Sequence, residues 1–431
     1  MRIAKASLID PERNGLYATC ATALSVFVFA YSTRFGQVSI LAYYALWLPL
    51  ILIDYRRVLG RVLSTPWIVA FVGLALLSTF WSAAPGVTAR ASVQFATHVF
   101  CALLAVNLVS IRSLTRGMVV GTALVMVYSL IFGHYSYDAL DGTYSFVGAF
   151  SSKNQLGLYA SLGIYFALAS VFILGERGLW RLATLASVPM AGYGLFAAQS
   201  ATSVLATVAA LAITFGFQPL LAFRPRHRKA LLALGIVVLA AALPVVFGSG
   251  VADSVLGIFG KDTTLTGRTY LWSEGIAAGN LNPVFGAGYY AYWVQGFGEA
   301  ERLWYEFYIA TRSGFHFHNT YIELYVELGL VGVALMAFLI LRTVLGHLGR
   351  LVSDNRNRAS HLLFGLMAMF LIRSFVEIDV MTPYTVGAFL MFYAAGLLAK
   401  PLPARAPPGA AARPETDVRH SAPPAGQAIP G

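Results

Sequence analysis

Apolar residues along this chain come in long blocks, without the strict alternation of a half-buried strand or the single stripe of a surface helix. Twelve runs approach the roughly 17–25 residues that a helix needs to cross a hydrocarbon core about 30 Å thick. They cover 16–32, 38–53, 67–84, 91–109, 117–133, 155–174, 179–198, 200–217, 230–248, 321–341, 360–376 and 382–398. The runs 179–198 and 200–217 are nearly continuous, and the polar step Gln199-Ser200-Ala201-Thr202 predicts a break at Ser200. The pattern predicts an all-α polytopic membrane protein of about twelve transmembrane helices.

Composition agrees with the pattern. Of 431 residues, 58% are hydrophobic and only 11% charged, with a mean hydropathy of +0.69. A soluble domain carries about 25% charged residues, so most of this surface must face lipid. The net charge of +11 raises the question of an acidic partner, and its distribution answers it. With the N-terminus placed in the cytoplasm, 22 of the 30 basic residues fall on the inner side and eight on the outer side. The 19 acidic residues divide the other way, seven inside and twelve outside. That asymmetry orients a multi-pass protein, with both termini inside, by the positive-inside rule. It gives no footprint for nucleic acid, which needs a basic patch on a folded domain. The outer cations are Arg34, Arg90, Lys153, Lys261, Arg268, Arg302, Arg312 and Arg373. Cys20 and Cys101 lie in apolar runs and indicate neither a disulfide scaffold nor a metal site. The polar start of the chain, without a small-residue cleavage site after the first run, predicts a retained span.

The polar segments divide the chain further. Residues 1–15 form a cytoplasmic tail, 16–248 carry helices one to nine, 249–320 form a large outer loop, and 321–398 carry helices ten to twelve. Residues 399–431, rich in Pro and Ala, are expected to be a disordered cytoplasmic tail. A second long outer segment covers 134–154. Fifteen of the 72 residues in 249–320 are aromatic. Such rings can pack a small cap, form an interfacial belt, or line a site for a glycan.

No charged residue occupies the middle of a span, which removes the usual marker of a proton or ion pathway. Candidate chemistry therefore lies at the outer face. Asn154, Ser200 and Thr320 stand where helices six, eight and ten begin, and helix N-termini bind phosphate; every helix also needs caps for purely structural reasons. Thr320 and Glu323 fit a capping box, while Glu327 on the same face has no such explanation. His318, just before helix ten, is the sharpest candidate. A positive helix end favours neutral imidazole, the form a general base requires, although loop hydrogen bonds alone could also account for it. His316, flanked by Phe315 and Phe317, is the weaker histidine. Glu377-Ile378-Asp379 is an acidic pair that would need further ligands to hold a metal. Arg373, one turn before Glu377, points to an ion pair instead, so no metal or other cofactor is expected.

The segment HNTYIELYVELGLVG at 318–332 resembles the signature of the O-antigen ligase and O-antigen polymerase superfamily. Three further stretches are similar to the same family: Gly267-Arg268-Thr269-Tyr270-Leu271-Trp272 with Phe285-Gly286-Ala287-Gly288, Phe150-Ser151-Ser152-Lys153-Asn154, and Arg373-Ser374-Phe375-Val376-Glu377. The Lys-Asn step leans toward the exopolysaccharide-polymerase branch. The resemblance implies a GT-C-like, metal-independent glycosyltransferase of the bacterial inner membrane. Its donor would be an undecaprenyl-pyrophosphate-linked glycan, and its acceptor a hydroxyl on a second glycan or a lipid core. His318 would be the base, with Arg268, Lys153 and Arg312 on the pyrophosphate. Asn319, Thr320, Glu323, Arg373 and Glu377 would support them. Relatives often carry Arg or Lys where this chain has Ala201, which leaves a second phosphate contact to Lys153, Arg302 or Arg312. The rival readings are a lipid-linked oligosaccharide flippase, which predicts a charged central cavity and internal repeats, and a non-catalytic scaffold.

Overall fold

The computed structural model describes residues 4–60, 64–138, 142–249, 257, 267–353 and 357–400. The described residues up to 399 belong to one compact unit. The Pro/Ala-rich tail expected at 399–431 lies almost wholly outside the described residues, as does the 250–256 and 258–266 part of the large loop.

Every apolar run of the sequence is helical. Helix α1 (Gly15–Trp47) takes the first run and most of the second, and is interrupted at Tyr31 and Gly36. Then come α2 (Pro66–Leu77), α3 (Pro85–Leu108) and α4 (Ile111–Phe132). Both α2 and α3 start on proline, whose missing N–H is no loss in a first turn. After the segment that follows α4 come α5 (Lys153–Phe172), α6 (Gly178–Ala197), α7 (Ala201–Gly216) and α8 (Pro225–Gly248). The break at Ser200 is where the sequence places it: the Ser200 hydroxyl caps α7 by accepting the Ser203 N–H at 3.3 Å.

The large loop contributes α9 (Arg268–Gly279) and α10 (Gly298–Glu306). The chain then returns through α11 (Thr320–Ser353), α12 (Arg358–Arg373) and α13 (Val386–Leu397). Among the described residues six helices are long and apolar enough to cross a membrane, the segments Gly15–Ile53, Pro85–Leu108, Ile111–Phe132, Lys153–Phe172, Ala201–Ala222 and Thr320–Ser353. The protein is a polytopic membrane protein. One part of the chain departs from an all-helical fold. Strands β1 (His134–Asp138) and β2 (Thr143–Gly148) pair antiparallel as a hairpin before α5.

Three buried histidines inside the helical body are hydrogen-bonded across elements, as a medium without water favours. The His98 ring lies 3.1 Å from the Tyr43 hydroxyl and 3.1 Å from the Thr385 carbonyl, and His347 reaches Ser360 Oγ and the Ala394 carbonyl. His361 meets the Thr214 carbonyl at 2.8 Å. Both ring nitrogens of His98 and of His347 are engaged in this way.

Two features position the segment that leads into α11. The described part of the large loop folds as a cap with its own core, formed by Leu271, Tyr292, Leu303, Trp304, Phe307 and Phe317 with Val326 of α11. Helix α11 is broken at Gly329 (φ 65°, ψ −167°). Residues 330–353 beyond the break extend about 36 Å at 1.5 Å per residue, enough to span. The break leaves backbone groups unpaired, and the segment 283–288 satisfies them. Leu330 N–H donates to the Pro283 carbonyl, while Ala287 and Gly288 donate to Val326 and Glu327, all at 2.8–2.9 Å. A Cβ at Gly329 or at Gly286 would overlap the opposing backbone, so this close approach requires glycine on both sides.

Candidate active site

The turn before α11 presents His318. Asn319, not Thr320, caps the helix: its Oδ1 accepts the N–H groups of Tyr321 and Ile322 at 2.9 and 3.2 Å. Its Nδ2 donates to the Phe375 carbonyl. Thr320 ties the helix to the α12–α13 connection, donating its N–H to the Ser374 carbonyl and its hydroxyl to the Glu377 carbonyl. Glu323 closes no capping box. Its carboxylate accepts the Phe317 N–H at 2.7 Å and the Trp293 indole N–H at 2.9 Å. Glu327, one turn on, is buried with its Oε2 lacking a hydrogen-bond partner among the described residues. His318 itself has φ 52°, the left-handed region where a side-chain-bearing residue is strained.

Glu377 is the centre of the cluster. The Arg268 guanidinium, carried on the first turn of α9, donates to Glu377 Oε1 at 3.2 Å and to the Val376 carbonyl at 2.9 Å. The other carboxylate oxygen lies 3.5 Å from His318 Nδ1, an ion-pair distance that is long for a hydrogen bond. Asn154 Nδ2 donates to Glu377 Oε1 at 2.8 Å, and its Oδ1 accepts the Ser200 hydroxyl. Three separate stretches of sequence, carrying Asn154, Arg268 and His318, thus meet on a carboxylate only 6% exposed. Burial would raise its pKa, but His318, Arg268 and Arg373 more than offset that and hold it well below the usual carboxylate range. It is ionised. His318 remains 23% exposed and Arg268 18%, so both are open to a substrate.

Several sequence expectations are corrected here. Asn154 is not an N-cap; the Ser152 hydroxyl caps α5, and Asn154 in the first turn turns its side chain to Glu377. Arg373 does not pair with Glu377 four residues on. The chain turns after α12, so Asp379 swings back to Arg373 at 2.5 Å and leaves Glu377 to Arg268 and His318. Arg373 also donates to Ser203, near the place of Ala201. Arg312 pairs with Glu301 on the cap, and Arg302 is held by Glu274, Glu299 and Glu306. No described ion pair joins either to the His318 cluster. Lys153 begins α5 beside Asn154 and donates to Thr143 of the hairpin at 2.9 Å.

His316 is closer to the chemistry than its phenylalanine neighbours suggest. Its ring centroid lies 4.1 Å from that of His318, and its Nδ1 accepts the His318 N–H at 3.0 Å. Burial, with His318 beside it, pushes its pKa well below the histidine range and keeps it neutral. Where the sequence offered no metal set, the structure brings ligand atoms of His316, His318 and Glu377 within 4.8 Å of one another. That geometry could hold a cation. The Arg268 guanidinium on the same carboxylate opposes it, because a second positive charge there would be repelled.

Trp272 is a further residue that the sequence reading quoted without a role. It follows Arg268 by one helical turn, on the same face, and its indole donates to the Phe317 carbonyl at 2.9 Å. The spacing Arg268-x-x-x-Trp272 was the available signal.

The family described as O-antigen ligase matches residues 185–337, which include the cap and the His318 turn. The exopolysaccharide production protein ExoQ of Rhizobium meliloti (strain 1021) is 56% identical over 407 residues, covering 94% of this chain and 93% of that protein.

Proposed function

As the chain belongs to the O-antigen ligase family, we propose that it is a GT-C-like membrane glycosyltransferase. It would transfer a glycan from an undecaprenyl-pyrophosphate donor to a sugar hydroxyl at the periplasmic face of the inner membrane. The similarity to ExoQ favours polymerisation of an exopolysaccharide over ligation to a lipid core. In this reading 249–320 is the periplasmic cap, the twelve apolar runs are crossings, and both termini are cytoplasmic.

One observation carries the reading: Arg268 and His318, distant in sequence, meet on the same buried carboxylate. A carboxylate beside Nδ1 favours the tautomer protonated there and leaves Nε2 as an acceptor. His318 Nε2 then takes the proton of the acceptor hydroxyl as its oxygen bonds to the anomeric carbon of the donor. The bond from that carbon to the pyrophosphate oxygen breaks, and the electron pair leaves with the pyrophosphate. Arg268 stabilises that charge; a guanidinium has five N–H donors, and its two contacts to Glu377 and Val376 leave others for phosphate. Lys153, beside Asn154, is the second cation of the reading. The reaction is metal-independent, with Arg268 in the place of a Lewis acid.

The test is glycan synthesis by His318→Ala and Arg268→Ala, with membrane insertion measured in parallel and EDTA present in a second set. Each variant should lose product by about a hundredfold or more, and EDTA should leave the wild type unaffected. Normal product from both inserted variants would overturn the assignment.

A further inference from the structure

Glu323 was expected to cap its own helix, but Asn319 does that, and the Glu323 carboxylate is turned elsewhere. It is 3% exposed, and each oxygen accepts one hydrogen bond from outside α11: Oε2 from the Phe317 N–H, and Oε1 from the Trp293 indole of the cap. The Phe317 carbonyl accepts the Trp272 indole N–H, so the backbone is gripped on both sides of Phe317. The Phe317 ring is fully buried against Trp293 and Tyr292, with centroids at 4.9 and 5.2 Å. The next residue is His318, at φ 52°. A strained residue of this kind persists only where its surroundings over-determine it.

We propose that Glu323 is a positioning residue: it holds the strained turn that presents His318 and makes that turn depend on the cap segment carrying Trp293. The proposal rests on the reading of His318 as the base. It adds that the cap regulates the site through one buried carboxylate, so that a shift of Trp293 would release the turn.

The substitution Glu323→Gln tests it, because an amide offers one acceptor and one donor where two acceptors are needed. Either the Phe317 N–H or the Trp293 indole N–H must then face another donor. The rate constant kcat should fall by about 10- to 100-fold with KM for the donor glycan changed by less than about threefold, the cost of a buried unpaired donor. Trp293→Phe should lose less. The double variant should recover toward the Trp293→Phe level, because Gln can then turn its carbonyl to Phe317 and its amide to a ring. An intact rate in Glu323→Gln, a change confined to KM, or a double variant no better than Glu323→Gln would each overturn the proposal. If Glu323→Gln fails to fold, kcat and thermal midpoint in Trp293→Phe decide: loss of rate at a wild-type midpoint supports it, and an unchanged rate overturns it. His318→Ala separates the two layers. If that variant is inactive and Glu323→Gln is normal, only the role of Glu323 is lost; if it is active, the base assignment fails first.

Discussion

Glu377 has a depressed pKa because His318, Arg268 and Arg373 outweigh its burial. The sign of the linkage follows. In the unfolded chain the carboxyl titrates near the ordinary value of about 4.3, while in the folded protein it stays ionised to lower pH. Its contribution to stability is therefore complete above the unfolded value and is lost as pH falls through the folded one. Thermal midpoints of the wild type and Glu377→Gln, followed in detergent micelles from pH 6 to 3, should differ by a constant amount down to about pH 5 and then converge. A gap that stays constant to pH 3 would mean that Glu377 is not the ionised hub. His318 and Arg268 were legible in the sequence because their motifs flank glycine and helix-start signals. The partner of Glu377 was not, since an arginine four residues before a glutamate is a helical pair only if the helix continues. Here α12 ends at Arg373, and that ending reassigns every charge in the cluster.

At the scale of elements, apolar runs located the helices, and polar steps located breaks such as Ser200. Caps moved by one or two residues, from Thr320 to Asn319 and from Asn154 to Ser152, because Ser, Thr and Asn all offer a side-chain oxygen. The hairpin had its own signal, an aromatic–polar alternation on each side of Asp141-Gly142, which the surrounding helical pattern masked. The break at Gly329 had none. It depends on Pro283–Gly288, more than 40 residues away, supplying hydrogen bonds to the interrupted helix. This predicts that Gly329→Ala destabilises the protein by at least about 2 kcal/mol, from a left-handed φ that costs a side-chain-bearing residue 1–3 kcal/mol with a steric clash added. A thermal midpoint within about a degree of the wild type would count against a fixed break. The same variant should also loosen the cap, because Val284 packs across Gly329, so limited proteolysis within 267–320 is a second readout.

For the whole molecule, the distribution of charge decides where the chemistry can occur. On the proposed topology, with 22 cations inside and a net-negative outer face, an anionic pyrophosphate would be drawn to the few outer cations, of which Arg302 and Arg312 are already neutralised within the cap. Arg268 is left as the guanidinium at the open cluster, but only if the cap lies on the side opposite the basic segment Arg224–Lys229. That condition can be measured. In a background without Cys20 and Cys101, a membrane-impermeant maleimide should label cysteine at Gln295 of the cap, and not cysteine at His227, in cells with a permeabilised outer membrane. Inverted inner-membrane vesicles should give the reverse. If both positions label from one side, the number of crossings between them is even and not odd. If both label only in the inverted vesicles, the His318 cluster faces the cytoplasm, where a periplasmic glycan acceptor could not reach it.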